Sequence, residues 1–463
     1  MSSGYSRQYA DFIGAFEKLF SIQSSESVEE ICNIISNVLI SKYKLSVKKL
    51  TKITLMALQY NYASAENYAK IFKHIGSNFK RISELIFPSE NSIEYIVMHD
   101  QIEKFKEYIS QKRIDNDCVF LEIPDLVKYE KIKNYEYRPF VKLSLIEACA
   151  YFGSVNIFFF LISNQGCKRT NNCLRYSIIG RNADIINECL KNNKMDIYTL
   201  RDIVITHNNE MLKYVLERKI FTYKDFEVNE SIFYPFFNKD SCRAIYEDII
   251  TYQNLNAVFL LFERENKIIA PLFAAFPQTL DILRNNIFPD KADFRGRHII
   301  HFACKSRNSD ICKFLLDQWS MIHVNDTDDN NEESIEEYSD DNTIVNIVDV
   351  IDEKHLTPLH YAAKRNSKEI AELLISHGAN INAKDRKEKT PLHYAAKYNS
   401  KEIAELLISH GASINAKDRI NRTPLHFAAG NNSIEIVKLL IYNHAAREVE
   451  DEKKKNPSLC SKK

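Results

Sequence analysis

The sequence predicts an all-α protein in which pairs of helices stack into a solenoid with short β-hairpin loops, preceded by an N-terminal helical region. Near-copies of one segment begin at Thr357, Thr390 and Thr423, which gives a fixed period of 33 residues. Glycine is scarce, with 10 in 463 residues, and this favours helices over turn-rich β structure. Elsewhere apolar residues recur at helical spacing. The 33-residue period predicts repeat units that bury their apolar faces only by stacking on their neighbours.

The first helix of each late unit starts with Thr-Pro-Leu-His. Thr357 is a suitable helix cap, and Pro358 fits the first helical position, where no N–H partner is needed. We expect Leu359, Ala362 and Ala363 to face inward, the alanines allowing close approach of neighbouring helices.

The second helix of the unit begins near Ser367, and Ile370, Leu373 and Leu374 are its expected buried stripe. Gly378 suits a left-handed position at the end of that helix. Asp385 then opens the hairpin to the next unit.

Residues 1–140 show helical periods without a repeat, and they predict an N-terminal helical domain. Three stripes carry this prediction; they comprise Ile31, Ile34, Ile35, Val38 and Leu39, then Leu50, Ile53, Ala57 and Tyr60, and finally Ile93, Ile96 and Val97.

Residues 141–290 carry a divergent form of the late units. Ser144–Ala150 aligns with Thr357–Ala363, which places Gly153 in the turn between two helices. Related helix pairs recur near Ser177, Ile203 and Ile245. We therefore expect helix pairs here whose linking hairpin is shortened or lost.

The regular repeats are expected over 291–447, interrupted by an acidic, disordered insert at about 322–345. Asn325–Asp341 holds nine Asp and Glu residues and no Lys or Arg, so it cannot bury enough apolar surface to offset its chain entropy. The insert is either a solvated spacer or a regulatory segment in which Ser334, followed by Glu336 and Glu337, is phosphorylated. A charged tail is expected over 448–463.

Net charge and cysteine use narrow the function classes. The formal net charge is zero, which argues against a nucleic-acid partner because such partners require a basic stripe. The ten cysteines form no Cys-x-x-Cys pair and predict free thiols in a reducing compartment. The sequence shows no secretory signal and no apolar stretch long enough for a transmembrane segment, so we expect a cytoplasmic location.

No catalytic, cofactor-binding or metal site is predicted. His301, His360, His393 and His426 form a row, but each belongs to a different unit, about 8–10 Å from the next, too far for one ion. We expect them instead to make hydrogen bonds at the helix starts. Motifs for a phosphate loop, a nucleophile elbow or a dinucleotide site are absent from the sequence. An enzyme with an unrecognised site in residues 1–140 stays open as an alternative.

Differences between the two most similar units suggest where a partner binds. Of 33 aligned positions five differ, and three of these fall together at a hairpin tip. Projecting loops carry function in such stacks, although exposed tips also tolerate drift, so both interpretations stand. Gly296 occupies the equivalent turn before His298, and a residue other than glycine is costly at positive φ, so the shape of the tip that carries Glu388 is in question. The candidate partner-binding residues are Arg365, Lys387, Glu388, Lys389, Tyr398, Ile420, Asn421 and Arg422.

The Thr-Pro-Leu-His-x-Ala motif at a period of 33 resembles the ankyrin repeat. With the helix pairs that precede it, the whole chain resembles protist, trichomonad-type ankyrin proteins with an N-terminal helical domain of unknown function. The resemblance implies a non-catalytic scaffold or adaptor that binds a protein partner through its concave face and hairpin tips, without a cofactor. An adaptor that recruits substrates to a ubiquitin ligase is the alternative.

Overall fold

The computed structural model describes residues 6–23, 25–76, 88–111, 143–226, 245–264, 269–285, 296–325 and 347–452. The chain forms two compact units, Met1–Arg264 and Glu265–Lys463. Regular structure within the described residues is helical, which confirms the all-α class. Each unit is built from helix pairs that stack on one another.

The first unit opens with four helices that precede the pairs. Ile31, Ile35 and Leu39 lie four residues apart and are all buried, while Ile34 and Val38 of the expected stripe are only half-buried. A π-helix over Ile35–Lys42 accounts for this spacing, because its turn is wider than that of an α-helix. The four α-helices are α1 (Ala10–Phe20), α2 (Val28–Ile34), α3 (Val47–Tyr60) and α4 (Ala65–His74).

Among the described residues of the first unit, five helix pairs follow, and the first helices of successive pairs pack on each other. The earliest pair lies at 93–111, ahead of the region where the sequence shows recognisable helix pairs. The pairs are α5 (Ile93–Met98) with α6 (Ile102–Gln111), α7 (Leu145–Phe152) with α8 (Val155–Gln165), α9 (Asn171–Gly180) with α10 (Ala183–Leu190), α11 (Ile197–Ile205) with α12 (Asn209–Glu217), and α13 (Ile245–Tyr252) with α14 (Leu255–Phe262). Short 3₁₀ turns lie at Tyr62–Ser64 and Tyr223–Phe226.

Polar cap residues link two of these pairs to an earlier helix of the stack. Asn208 begins α12 and donates from Nδ2 to the carbonyl of Ile178 in α9, at 3.2 Å. Asn254 begins α14 and donates to the carbonyl of Val204 in α11, at 2.8 Å. Because these cap side chains also accept backbone N–H groups of their own helices, they satisfy orphan groups of two pairs at once.

In the second unit, the described residues show the same design in five pairs. The 3₁₀ helices Ala270–Ala275 and Pro277–Thr279 and α15 (Leu280–Asn285) form the first. The others are α16 (Ile299–Ser306) with α17 (Ser309–Asn325), α18 (Pro358–Arg365) with α19 (Lys368–Ser376), α20 (Pro391–Tyr398) with α21 (Lys401–Ser409), and α22 (Pro424–Gly430) with α23 (Ile434–Tyr442).

The stack is continuous on both sides of the acidic insert. Helix α16 packs on α18, and α17 packs on α19. The imidazole of His301 in α16 is 3.0 Å from the carbonyl of Leu356, which directly precedes the Thr357 cap. Gly296 has φ +66° and lies so close to the backbone of Asp352 and Glu353 that a Cβ would meet Glu353 N at 3.1 Å. These contacts join the repeat before the insert to the repeat after it.

The packing of the late repeats follows the sequence pattern with one exception. Leu359, Ala362 and Ala363 are fully buried, as expected. In α19, however, Ile370, Ala371 and Leu374 are buried, and Leu373 is only half-buried. The placement of Leu373 in the buried stripe was therefore wrong, because the small Ala371 is buried beside Ile370 and Leu374 in its place.

Candidate functional site

We call the first helix of each late pair (α18, α20, α22) its inner helix and the second (α19, α21, α23) its outer helix. The loop that precedes each of these three inner helices is built around a buried aspartate. We call these loops finger 1 (351–356), finger 2 (384–389) and finger 3 (417–422). In finger 2, Oδ1 of Asp385 accepts the backbone N–H groups of Lys387 and Lys389, both at 2.8 Å. Asp352 and Asp418 make the equivalent pair of bonds in their fingers. Each tip is therefore shaped by a local side-chain turn.

The finger tips are joined in a backbone ladder. The amide of Arg386 donates to the carbonyl of Lys354 at 2.9 Å, and the amide of Arg419 donates to the carbonyl of Lys387 at 3.0 Å. Glu452 continues the ladder by donating to Ile420 at 3.2 Å. The ladder holds the fingers in register, so exposed side chains at equivalent tip positions lie in rows.

All three tips have the same backbone shape, although none has glycine in the turn. His355, Glu388 and Asn421 have φ values of +57°, +58° and +59°. Finger 2 therefore adopts the same turn as its neighbours despite Glu388. The turn closes with the amide of Glu388 donating to the carbonyl of Asp385 at 2.8 Å. A side chain other than glycine in this left-handed region carries a conformational cost.

The histidine row makes the expected hydrogen bonds at the helix starts. Nδ1 of His360 accepts the backbone N–H of Thr357 at 3.1 Å, and Nδ1 of His393 accepts that of Thr390 at 3.0 Å. Because the amide can only donate, Nδ1 carries no proton and Nε2 carries one. Nε2 of His360 then donates to the carbonyl of Lys389 at 3.0 Å, and Nε2 of His393 to that of Arg422 at 3.0 Å. Each imidazole thus ties its own repeat to the next finger.

These imidazoles are held neutral. Burial lowers the pKa of His301 and of His393 to about 4, and it lowers the pKa of His360 as well. An aromatic ring of the next repeat packs against each one, with Tyr394 at 5.4 Å from His360 and Phe427 at 5.5 Å from His393 between ring centroids. Both ring nitrogens of His360 and of His393 make hydrogen bonds, so these side chains stabilise the packing of one repeat on the next.

A compensating pair of changes distinguishes finger 3 from the other two. The hydroxyl of Tyr361 donates to Oδ2 of Asp352 at 2.8 Å, and the hydroxyl of Tyr394 donates to Oδ2 of Asp385 at 2.8 Å. Finger 3 is followed by Phe427, which has no hydroxyl. Instead, Nε and Nη2 of Arg422 donate hydrogen bonds to Oδ2 of Asp418.

The eight candidate partner-binding residues fall into two groups by exposure. Lys389, Ile420 and Arg422 are half-buried, and both cations lie over the Phe427 ring, Lys389 Nζ at 5.0 Å and Arg422 Cζ at 4.4 Å from its centroid. Burial also lowers the pKa of Lys389. The others are exposed; they are Arg365, Lys387, Glu388, Tyr398 and Asn421.

The exposed candidates lie at two ends of the inner helices. Lys387, Glu388 and Asn421 lie at the finger tips, before the helices begin, whereas Arg365 and Tyr398 lie at the helix ends. Eight residues of α-helix separate the two groups by about 12 Å. Together with the fingers, α18, α20 and α22 form a surface over 351–365, 384–398 and 417–430, which we call the front face.

Tyr398 is the largest exposed ring on the front face, with 41% of its surface accessible. Its ring stacks on Tyr394 with a centroid separation of 6.3 Å. Two ammonium groups flank it, Nζ of Lys397 at 5.2 Å and Nζ of Lys364 at 5.5 Å from the ring centroid. Since Tyr394 in turn bonds Asp385, this cluster is continuous with finger 2. The sequence singled out Tyr398 but not the two lysines, because their proximity depends on how α18 and α20 pack.

The acidic insert lies almost entirely outside the described residues, and so do Ser334 and the residues around it. The described part shows α17 continuing to Asn325, past the expected start of the insert at about 322. The phosphorylation of Ser334 and the role of the insert remain predictions.

The first unit contains a cleft of about 470 Å³. It lies between the N-terminal helices and the helix pairs, with Asn61, Tyr62, His99 and Arg181 among its walls. Its described lining has one imidazole, His99, and one guanidinium, Arg181, and no carboxylate, thiol or ammonium group. Burial lowers the pKa of both His99 and Arg181, and Arg181 donates from Nη2 to the carbonyl of Thr206 at 2.6 Å. The cleft thus shows no pairing of a carboxylate with a base.

The described part of the chain shows neither a metal site nor a membrane-spanning helix. There, no group of three or more His, Cys, Asp and Glu side chains is arranged to hold a metal ion. None of the helices in the described ranges is long and apolar enough to cross a bilayer. Five buried cysteines carry free thiols; they are Cys149, Cys173, Cys189, Cys304 and Cys312.

The fold defines a helix-pair repeat protein in which the fingers and the inner helices together form the front face. Protein-family models assign the repeats. The model for ankyrin repeats in three copies matches 249–385 and 330–418, and the model for a single ankyrin repeat matches 421–452. A domain of unknown function, DUF3447, matches 165–261. The chain therefore contains ankyrin repeats and a DUF3447 domain. Curated proteins gave no match to this chain.

Proposed function

We propose that this protein is a non-catalytic adaptor that binds a protein partner on the front face. Ankyrin repeats support a role in protein–protein interaction. The single observation that carries the proposal is the Tyr398 cluster, an exposed aromatic ring flanked by Lys364 and Lys397 and continuous with finger 2. Aromatic and cationic side chains of this kind are the residues that dominate protein interfaces.

The rigidity of the front face supports this proposal. The backbone ladder and the buried aspartates fix the finger tips, and the histidines fix each finger to the inner helix of the preceding repeat. A surface that is ordered before binding loses little conformational entropy when a partner docks. The exposed candidates Arg365, Lys387, Glu388, Tyr398 and Asn421 are then contact residues, and they extend the site from the helix ends to the tips.

The half-buried candidates Lys389 and Arg422 have a mainly structural role in this proposal. Lys389 and Arg422 already contact Phe427, and Arg422 also pairs with Asp418. We propose that they support the shape of the fingers and reach the partner only with their exposed atoms. Recruitment of substrates to a ubiquitin ligase remains an alternative that no contact among the described residues favours. The cytoplasmic location is a further proposal, and the buried free thiols support a reducing compartment.

The experiment is affinity capture with the full chain, followed by titration of each purified captured protein. A front-face variant combines Arg365→Ala, Lys387→Ala and Tyr398→Ala. A matched control combines Lys368→Ala, Glu372→Ala and Lys401→Ala on the outer helices α19 and α21. We expect the front-face variant to weaken the affinity by about tenfold or more, since loss of interface anchors costs at least about 1.4 kcal/mol. Equal affinity of wild type and front-face variant for every captured protein would overturn the proposal.

A further inference from the structure

The last three repeats separate their charges between two faces. The front face, over 351–365, 384–398 and 417–430, carries eleven Lys and Arg residues against five Asp and Glu residues, a net charge of +6 with histidine neutral. The outer helices α19, α21 and α23 carry three Lys residues against five Glu residues, a net charge of −2. The chain as a whole has no net charge, so this separation is hidden in its composition.

The acidic side chains of the front face are mostly withdrawn from solvent. Asp352, Asp385 and Asp418 are buried, and their carboxylates accept bonds within their own fingers. The exposed carboxylates are those of Glu353 and Glu388, and Glu388 pairs with Lys384 at 3.1 Å. Most of the charged side chains that the fingers expose to solvent are therefore cationic.

The cations lie in rows that follow the 33-residue period. One row lies at the finger tips and comprises Lys354 and Lys387, whose backbone carbonyls accept the bonds of the ladder. A second row beside it comprises Arg386 and Arg419, whose amides donate those bonds. Lys364 and Lys397 form a third row at the helix ends, with the Tyr398 ring between their ammonium groups. On the outer helices, by contrast, Lys368 and Lys401 are paired with glutamates four residues later, at 3.5 Å and 3.8 Å.

We propose that the front face binds an acidic segment of a protein partner, with the carboxylates of that segment along the rows of cations and an apolar side chain against Tyr398. This inference rests on the proposed function and specifies the chemistry of the partner. A polypeptide fits better than a nucleic acid because Tyr398 is the one large exposed ring of the described front face, and it is already stacked on Tyr394 with two lysine ammonium groups over it. Single-stranded nucleic acids are instead bound on platforms where successive bases stack on several rings.

The test uses the full chain and a labelled peptide of roughly ten residues in which glutamate and alanine alternate. Fluorescence anisotropy measures its affinity, and a peptide of glutamine and alanine is the neutral control. We expect the glutamate peptide to bind at least about tenfold more tightly than the glutamine peptide, and its affinity to fall by several fold when salt rises from about 0.05 M to about 0.3 M.

Two sets of charge reversals locate the binding surface. Arg386→Glu, Lys387→Glu and Arg419→Glu together should weaken binding of the glutamate peptide by about tenfold or more. Lys368→Glu, Lys401→Glu and Lys438→Glu change the total charge equally on the outer helices and should leave the affinity within about twofold. Circular dichroism checks that both variants keep their helix content.

Three results would overturn this inference: equal binding of the glutamate and glutamine peptides, equal weakening by the two sets of reversals, or tighter binding of a single-stranded DNA with the same number of charges. None of them bears on whether a protein partner needs the front face. If the alanine variant of the front face still loses its captured partner, the proposed function stands while the acidic chemistry of the partner is rejected.

Discussion

The guanidinium of Arg422 replaces a tyrosine hydroxyl on Asp418: its Nη2 and Nε lie 2.9 Å and 3.1 Å from Oδ2 of that aspartate. In finger 2, the corresponding oxygen of Asp385 accepts from the hydroxyl of Tyr394. Asp418 is almost fully buried, so its carboxylate requires a donor. Where one repeat has Lys389 and Tyr394, the next has Arg422 and Phe427, so the arginine compensates for the missing tyrosine hydroxyl.

Removing this guanidinium should destabilise finger 3. We expect Arg422→Met to lower the free energy of unfolding of the repeats by about 1–3 kcal/mol, because it leaves a buried carboxylate oxygen without its donor. Lys389→Met is the matched control, and we expect it to cost less, since Tyr394 still serves Asp385. Adding Phe427→Tyr to Arg422→Met should restore part of the loss. Denaturant unfolding measures all four proteins, and no rescue by the added hydroxyl would contradict the exchange.

The left-handed turn of finger 2 predicts a stabilising substitution. Glu388 has φ +58° without being glycine, so Glu388→Gly relieves backbone strain and should raise the free energy of unfolding by about 1 kcal/mol. Glu388→Val should lower it, because a β-branched residue is least suited to this region. Thermal unfolding of the two variants checks the order; a Val variant as stable as the Gly variant would refute the strain.

Neutral buried histidines make the stability of the repeats depend on pH. The folded-state pKa of His301 and His393 is about 4, below the ordinary value of about 6.5 in an unfolded chain. As pH falls from about 6.5 toward 4, the unfolded state takes up protons first, so stability is lost in that window and is fully present above it. We expect a loss on the order of 1 kcal/mol per pH unit for each histidine.

A variant isolates the share of one histidine in this effect. His393→Gln should be less stable than wild type at pH 7, since it weakens the bonds to Thr390 and Arg422. Its stability should nevertheless fall less steeply between pH 6.5 and pH 4.5, because one titrating group is gone. Unfolding midpoints recorded across this range test the prediction, and parallel slopes for the two proteins would count against it.

The buried stripe of α19 supplies a direct comparison of two leucines. Leu374→Ala should cost about 2–5 kcal/mol, because Leu374 is fully buried and its removal leaves a cavity. Leu373→Ala should cost clearly less, since Leu373 is half-buried. Denaturant unfolding decides between them; equal costs would restore Leu373 to the core.

Local signals in the sequence predicted the frame of the repeats well. The Thr357 cap, Pro358 at the helix start and the left-handed Gly378 follow from residue types that have few alternatives. The bond from Thr357 to His360 is local too, and it was expected. The second bond of His360, to the carbonyl of Lys389, joins residues 29 positions apart. It depends on the packing of neighbouring repeats, which no short pattern encodes.

The candidate site was less predictable for the same reason. Comparison of the two similar repeats drew attention to Lys389 and Arg422, but their contacts with Phe427 depend on the fold of the third repeat. The rows of cations were also hidden, because the outer helices and the rest of the chain balance their charge. The early pair α5 and α6 carries no recognisable repeat motif in its sequence, so its packing against α7 and α8 is what reveals it as a pair.

Hydrogen exchange, read by mass spectrometry on the full chain with and without its purified captured partner, tests directly whether the partner binds on the front face. If it does, exchange slows in peptides that cover fingers 2 and 3 and the ends of α18 and α20, with little change in α21 and α23. Protection confined to the outer helices, or to the first unit, would contradict binding on the front face.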